Sequence, residues 1–164
     1  MTDMPTLLIV WHSRTGTARE MASAAARAAA DECAVRLVAA DDVQPDDVLA
    51  ASGYVFACPE NLASVTGAMK EFFDRCYYPL LERIEGRPYA VMVAAGSDGQ
   101  GAVRQIERIA TGWRLKRIAE SVIVCTHAQT PAEIAAPKVL TMEDIAPCRD
   151  LGQMLGAGLA MGVF

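Results

Sequence analysis

The chain has 164 residues, of which 52% are hydrophobic and 21% are charged, and its formal net charge is −5. This length fits a single domain, and the balance of apolar and charged residues excludes an intrinsically disordered chain. A mildly acidic chain without a lysine- and arginine-rich stripe is also a poor partner for nucleic acid or an anionic membrane surface.

The first part of the chain alternates apolar runs with amphipathic segments. Thr6 to Trp11 is continuously apolar, which is typical of a strand buried on both faces of a parallel sheet. Ala18 to Asp31 carries apolar residues at helical spacing, and Thr17 to Glu20 fits a capping box, which predicts that the helix begins at Thr17. A second strand is predicted over Cys33 to Ala39, and after a short helical turn a third over Gly53 to Ala57.

The later segments continue the same alternation. The predicted elements are a helix over Thr66 to Tyr78 stopped by Pro79, a strand over Tyr89 to Ala95, a helix over Ala102 to Thr111, a strand over Ser121 to Cys125 and a final helix from Met142 to about Met161. Strands that alternate with helices form a parallel sheet joined by right-handed crossovers. We therefore predict one α/β domain over residues 1–164, with three layers and a doubly wound five-stranded sheet of order 2-1-3-4-5.

Ligands bind to such a sheet beyond the carboxyl ends of the strands, where the strand order reverses. The loops predicted at that edge are Trp11–Thr17 and Cys58–Val65, with Gly96–Gly101 beside them. All three have an unusual composition, so this edge is where we expect the functional site.

The first of these loops leads into the start of a helix, where free backbone N–H groups favour an anion. Gly16 allows the backbone to approach a ligand closely, and Ser13, Thr15 and Thr17 offer hydroxyl donors, although Thr17 taken alone could serve only as a helix cap. The loop lacks both G-x-x-x-x-G-K-[ST] and G-x-G-x-x-G. It therefore predicts a site for a monophosphate held by neutral donors.

Three segments together resemble the FMN-binding loops of flavodoxin-like proteins. HSRTGTA resembles their phosphate loop, with Ala18 where a hydroxyl residue is common. CPENLASVTGAMKEFFDR resembles a segment of the FMN-dependent NAD(P)H:quinone oxidoreductases and FMN reductases, with Ala63 in place of the usual glycine. AAGSDGQGA resembles the segment that lies along the flavin ring and its pyrimidine edge. The resemblance extends over the whole domain.

This resemblance implies a flavoprotein that takes electrons from NAD(P)H through FMN to a quinone or flavin acceptor. The first loop would bind the phosphate, and the second would pack against the flavin ring. Backbone N–H groups of the third loop would donate hydrogen bonds to the polar edge of the ring. No general acid or base is expected, because the flavin carries the chemistry. The residues implied to bind FMN are Ser13, Arg14, Thr15, Gly16, Thr17, Ala18, Pro59, Glu60, Asn61, Leu62, Ala63, Ala95, Gly96, Ser97, Asp98 and Gly99.

Other proteins of the same fold class fit the sequence less well. A response-regulator receiver needs an acidic pair after its first strand and an aspartate ending the third, where this chain has Trp11-His12 and Cys58. A low-molecular-weight phosphatase needs an arginine six residues after its loop cysteine, and neither Cys33 nor Cys58 has one.

The choice between an enzyme and an electron carrier depends on the ring-binding loops. Flavodoxin typically sandwiches its flavin ring between a tryptophan and a tyrosine, but Glu60–Ser64 and Gly96–Gly101 contain no aromatic residue. One open ring face, together with a charge less negative than flavodoxins usually carry, favours an enzyme over a non-catalytic carrier. A flavin-free binding module remains a third alternative, because Ala18 and Ala63 depart from the usual pattern.

The remaining features give weaker signals. The five cysteines are widely spaced without a CxxC pair, and with two histidines they have no metal-site signature, so we expect reduced thiols and no metal. Cys58 is interpreted as a buried structural thiol, and His127 either as a substrate contact or as a surface residue. The sequence carries no signal peptide or membrane span, which predicts a cytoplasmic protein. The glycine-rich tail, Leu151 to Phe164, predicts a closely packed helix, and the alternative is the interface of a homodimer or higher homo-oligomer.

Overall fold

A parallel sheet forms the centre of the molecule. The computed structural model describes residues 3–164. Its strands are β1 (Thr6–Trp11), β2 (Ala34–Ala39), β3 (Gly53–Asn61), β4 (Ser64–Val65), β5 (Pro88–Ala95), β6 (Lys116–Arg117) and β7 (Val122–Cys125). The long strands are parallel in the order β2-β1-β3-β5, and the free edge of β5 pairs first with β6 and then with β7. Since β6 and β7 together fill the fifth position, the predicted order 2-1-3-4-5 is confirmed.

Residues 3–164 form six helices. They are α1 (Thr17–Ala29), α2 (Pro45–Ala50), α3 (Gly67–Leu80), α4 (Gln100–Gly112), α5 (Pro131–Ala135) and α6 (Met142–Met161). Of these, α1, α2, α3, α4 and α6 cover the two faces of the sheet. The core under α2, α3 and α4 is rich in aromatic rings, including those of Phe56, Phe72 and Trp113. The core under α1 and α6 is built largely from alanines of α1 and aliphatic residues of the sheet. These two cores on opposite faces give the three layers expected from the sequence.

The final helix packs closely on α1 because it carries glycines at the contact. A side chain at Gly152 would overlap the backbone of Ala25, and one at Gly156 would lie 3.0 Å from the carbonyl oxygen of Ala29. The interpretation of the glycine-rich tail as a closely packed helix is therefore correct. Within residues 3–164, no helix has the length and apolar character needed to cross a membrane.

Three local predictions are wrong, each for a physical reason. Helix α1 begins at Thr17 as predicted, but the capping box does not form, because Gly16 takes the capping position with a φ of 104° that glycine adopts readily. Pro79 does not stop α3, because a proline in the last turn removes only one backbone bond, and the helix runs on to Leu80. The third strand does not end at Ala57 but continues to Asn61, where the chain turns back as β4.

Candidate functional site

A cavity of about 550 Å³ opens at the carboxyl edge of the sheet, where β1 and β3 are neighbours and the strand order reverses. This volume lies within the range of small-molecule and cofactor pockets. The cavity is lined by Ser13, Arg14, Thr15, Thr17, Ala18, Pro59, Glu60, Asn61, Ala94, Ala95, Gly96, Thr126, Ala128, Ile134, Ala135 and Lys138. Residues from all three predicted loops thus meet at one site.

The first loop wraps the start of α1 at one end of the cavity. Ser13 Oγ accepts a hydrogen bond of 3.0 Å from the Gly16 backbone N–H, which closes the loop on itself and leaves the hydroxyl hydrogen of Ser13 available. The first N–H groups of α1 have no acceptor within the helix, as at any helix start. A side chain at Gly16 would meet no atom within 4 Å, so the glycine is required by its positive φ rather than by crowding.

Thr17 has an unusual environment for a hydroxyl group. Thr17 lines the cavity and is only 3% exposed, yet its buried Oγ1 makes no hydrogen bond within the described residues 3–164. Leaving a buried hydroxyl without a partner costs about 1–3 kcal/mol. The unpaired hydroxyl and the free N–H groups of the first turn belong to the same helix start beside the cavity, and this arrangement fits a ligand that carries several oxygen acceptors.

The second loop is a β-hairpin that forms a side wall. Pro59, Glu60 and Asn61 line the cavity at the end of β3. Leu62 and Ala63 form the tip with φ of 53° and 62°, and Leu62 is 94% exposed, so neither lines the cavity. Because the hairpin turns at these two residues, the tip projects into solvent.

The third loop approaches the cavity only at its beginning. Gly96 lines it together with Ala94 and Ala95 at the end of β5. Ser97 and Asp98 are exposed and do not line it. Gly99 is the N-terminal capping residue of α4, and its backbone N–H donates to Glu60 Oε1 at 3.0 Å. This N–H is therefore bound to the hairpin, whereas the resemblance had implied that it would face the ring.

Sequence reasoning missed a fourth wall, which follows β7. Thr126, Ala128, Ile134, Ala135 and Lys138 all line the cavity. We call residues 127–138 the strap. It contains α5, which is capped at its start by the reciprocal bonds of Thr130 and Glu133, while the Lys138 ammonium donates to three carbonyl oxygens near its end.

The strap crosses the site between two of the predicted loops. The His127 N–H donates to the Gly96 carbonyl at 2.9 Å, and the Lys138 N–H donates to the Thr15 carbonyl at 3.0 Å. His127 itself is exposed and does not line the cavity. The predicted strand order alone could have placed this segment at the site, because the carboxyl end of the fifth strand lies at the same edge of the sheet as those of the first and third.

Two reactive side chains near the loops lie outside the cavity lining. Burial raises the pKa of the Cys58 thiol to about 12, so it is a protonated structural thiol. Nδ1 of His12 is 2.8 Å from Thr66 Oγ1, and burial lowers the pKa of the imidazole, an effect that Asp41 opposes and Arg14 reinforces. Neither group supplies a nucleophile or a base to the described cavity.

The lining has two further chemical features. Among the described residues that form it, none is aromatic, so a planar ligand would not be enclosed between rings. Its cationic side chains are Arg14, which is exposed at the rim, and Lys138, whose ammonium is held by backbone carbonyls. Neutral donors therefore dominate at the start of α1.

Comparison with known proteins adds an independent finding. The family model described as NADPH-dependent FMN reductase matches residues 11–129, which include all three predicted loops. A curated flavodoxin from Aquifex aeolicus (strain VF5) is 32% identical over 100 residues, which are 60% of this chain. The match spans 54% of that flavodoxin, or about half of its length.

Solved structures of flavodoxins have the same fold. A flavodoxin from the domain Archaea superposes with a TM-score of 0.76 at 16% identity, covering 94% of this chain and 98% of that one. A flavodoxin, WrbA-like protein from Agrobacterium tumefaciens gives a TM-score of 0.76 at 15% identity, covering 96% and 98%. These matches confirm the predicted flavodoxin-like fold.

Proposed function

Because the chain belongs to the NADPH-dependent FMN reductase family, we propose that it binds FMN in the cavity and uses NAD(P)H to reduce a small acceptor. The observation that carries this proposal is Thr17, a cavity-lining residue at the start of α1 whose buried hydroxyl has no partner among residues 3–164. The phosphate of FMN has the charge and the oxygen acceptors that this position favours.

The phosphate would be held by the first loop and the first turn of α1. The hydroxyls of Ser13, Thr15 and Thr17 donate from the loop, and backbone N–H groups from Thr17 onward donate along the helix axis. Ala18 contributes its N–H alone, which is sufficient at a helix start. The exposed guanidinium of Arg14 at the rim adds a positive charge near the same end of the cavity.

The flavin ring would lie between the hairpin and the third loop. Pro59 and Asn61 provide one wall, and Ala94, Ala95 and Gly96 provide a flat floor of small residues. Bound FMN supplies hydride-accepting chemistry that no side chain of this cavity provides. The protein's part is to hold the ring, exclude water from one side and leave room for a second substrate on the other.

The absence of aromatic side chains in the described lining is what favours an enzyme. A ring stacked between two aromatic residues has little space for a nicotinamide, whereas a ring against Asn61 and alanines can be approached. The acceptor fits the class of a quinone or a free flavin, which could occupy the same open face. The similarity to a curated flavodoxin supports the second candidate, a non-catalytic FMN electron carrier.

Rapid mixing distinguishes the two candidates. FMN-loaded protein is mixed with NADPH or NADH without oxygen, and the loss of flavin absorbance is followed. An enzyme loses its colour at catalytic rates and regains it when a quinone is added. A carrier keeps its colour with both nucleotides and is reduced only by a chemical reductant.

A pair of neighbouring tryptophan variants tests the open face. Asn61→Trp would cover the ring while retaining FMN, and nucleotide-dependent turnover should fall at least tenfold. Leu62→Trp is the matched control, because this side chain is 94% exposed at the hairpin tip and does not line the cavity. Normal turnover in Asn61→Trp, with FMN bound, would contradict the assignment of the open ring face as the place where the second substrate reacts.

A further inference from the structure

The first turns of α1 and α4, which both begin at the carboxyl edge of the sheet, differ in one respect. The start of α1 carries Thr17, a lining residue whose buried hydroxyl has no partner within residues 3–164. The start of α4 is already occupied by a carboxylate of the protein itself, that of Glu60. The same residue lines the cavity. The two ends of the cavity thus differ in charge.

The geometry around Glu60 is that of a helix cap supplied by another strand. Oε1 accepts from the Gly99 N–H at 3.0 Å, and Oε2 accepts from the Ala102 N–H at 3.2 Å. The capping residue of α4, Gly99, has no side chain with which to satisfy these groups. A carboxylate at a helix start is stabilised both by these hydrogen bonds and by the helix dipole.

The hairpin and α4 fit together so closely that Glu60 is held in place. A side chain at Gly101 would overlap the Ala63 carbonyl and would lie 3.1 Å from Glu60 Oε2. The Val65 N–H donates to Gln105 Oε1 at 2.8 Å, which joins β4 to the next turn of α4. These contacts fix the third loop relative to the hairpin and keep the carboxylate beside the cavity.

We propose that Glu60 is a positioning residue with two effects on bound FMN: it keeps the phosphate away from α4, and it lowers the reduction potential of the ring. Both effects follow from a fixed negative charge. An anion is repelled from a helix start that already holds a carboxylate, so the phosphate is directed to α1. Reduction adds electrons to the ring, and a nearby negative charge disfavours that addition. This inference rests on the proposed binding of FMN.

Charged groups of both signs surround the cavity. Burial raises the pKa of the Cys125 thiol at the end of β7, and the carboxylates of Asp98 and Glu60 raise it further. The cationic side chains of the lining, Arg14 and Lys138, belong to the first loop and to the end of the strap. The Lys138 ammonium is in addition engaged by backbone carbonyls.

Three glutamate variants separate charge from hydrogen bonding. Glu60→Gln keeps the shape of the side chain and removes its charge, so the two-electron reduction potential of bound FMN should rise by at least about 30 mV, a tenfold change in the equilibrium constant. Glu60→Asp keeps the charge and should retain the low potential. Glu133→Gln is the matched control, since Glu133 also caps a helix through backbone N–H groups but does not line the cavity. Its potential should equal that of the wild type.

A second experiment measures how inorganic phosphate affects the binding of riboflavin, a flavin without a phosphate group. In the wild type, inorganic phosphate binds at α1 and riboflavin binds elsewhere in the cavity, so phosphate should not weaken riboflavin binding. In Glu60→Ala the free N–H groups of α4 admit phosphate beside the ring, and the dissociation constant of riboflavin should increase with phosphate concentration. Cooperative unfolding in urea shows, without any flavin, that the variants are folded.

Failure of the role proposed for Glu60 and failure of FMN binding give different experimental results. Wild-type potential in Glu60→Gln, or phosphate-independent riboflavin binding in Glu60→Ala, would overturn the role of Glu60 while leaving FMN binding intact. A wild-type protein that binds neither FMN nor riboflavin would overturn the proposed function, and this inference with it.

Discussion

Replacing Thr17 by valine should have opposite effects on the free protein and on its complex with FMN. Valine has the same shape but lacks the buried hydroxyl that makes no hydrogen bond within residues 3–164. Removing an unsatisfied buried hydroxyl should stabilise the apoprotein by about 1 kcal/mol, from the cost of 1–3 kcal/mol for leaving such a group unpaired. For a chain of this length, that gain raises the melting temperature by about 2–4 °C.

The same change should weaken FMN binding. A hydrogen bond to a charged phosphate contributes about 1.5–3 kcal/mol, so the dissociation constant of FMN should increase by about tenfold to a hundredfold in Thr17→Val. Riboflavin lacks the phosphate, and its affinity should change less than about twofold by the same reasoning. Thermal unfolding of the apoprotein and fluorescence titration with the two flavins measure these quantities.

Thr66 provides a matched control, since it is also a threonine that is 3% exposed. Its hydroxyl has a partner, because Oγ1 lies 2.8 Å from Nδ1 of His12. Thr66→Val should therefore destabilise the apoprotein by about 1 kcal/mol and leave the preference for FMN over riboflavin unchanged. If Thr17→Val destabilises the apoprotein as Thr66→Val does and binds FMN with wild-type affinity, the assignment of the Thr17 hydroxyl to a ligand is wrong.

Two other changes test the first loop and its neighbour. Gly16→Val should fold, because the space beside Gly16 is open. The positive φ at this position strains any other residue, so the backbone N–H groups should shift and the affinity for FMN should fall at least about a hundredfold. Unchanged affinity in a flavin titration would refute the role of the loop. Burial lowers the pKa of His12 in the folded state, so the unfolded chain binds its proton first and stability should fall as the pH drops below about 6.5. Between pH 7.5 and 5.5, the free energy of unfolding measured in urea should decrease less for His12→Gln than for the wild type. An equal decrease in the two proteins would contradict this explanation.

The sheet was predictable because its signals are local. Thr6–Trp11 is continuously apolar and becomes β1 without a change of boundary. The last helix was likewise predicted from Met142 to about Met161 and has these bounds. The alternation of strands and helices then restricts the topology, since parallel strands require right-handed crossovers.

The site was only partly predictable, because several of its features depend on contacts distant in sequence. Gly16 and the hydroxyl residues around it were recognisable from the loop itself. The cap on α4 joins Glu60 to Gly99 and Ala102, and no local pattern relates residues about forty positions apart. The cap of α1 was predicted wrongly because a threonine at the start of a helix usually caps it, whereas here a left-handed glycine takes that position.

The strap was missed for a different reason. Residues 127–138 carry no strong periodicity, and their helix, Pro131–Ala135, is only five residues long. The structure shows that their backbone is satisfied largely by bonds within the strap, with anchors at Gly96 and Thr15. Such an arrangement depends on where β7 ends relative to the first loop, which sequence periodicity does not encode.

Equilibrium titration of the apoprotein with FMN and, separately, with riboflavin tests whether the start of α1 binds the phosphate of FMN. We predict saturable binding of one FMN per chain and a riboflavin affinity at least about a hundredfold lower, because several donors at the start of α1 bind only the phosphate. Equal affinities for the two flavins, or no saturable binding of FMN, would contradict this prediction.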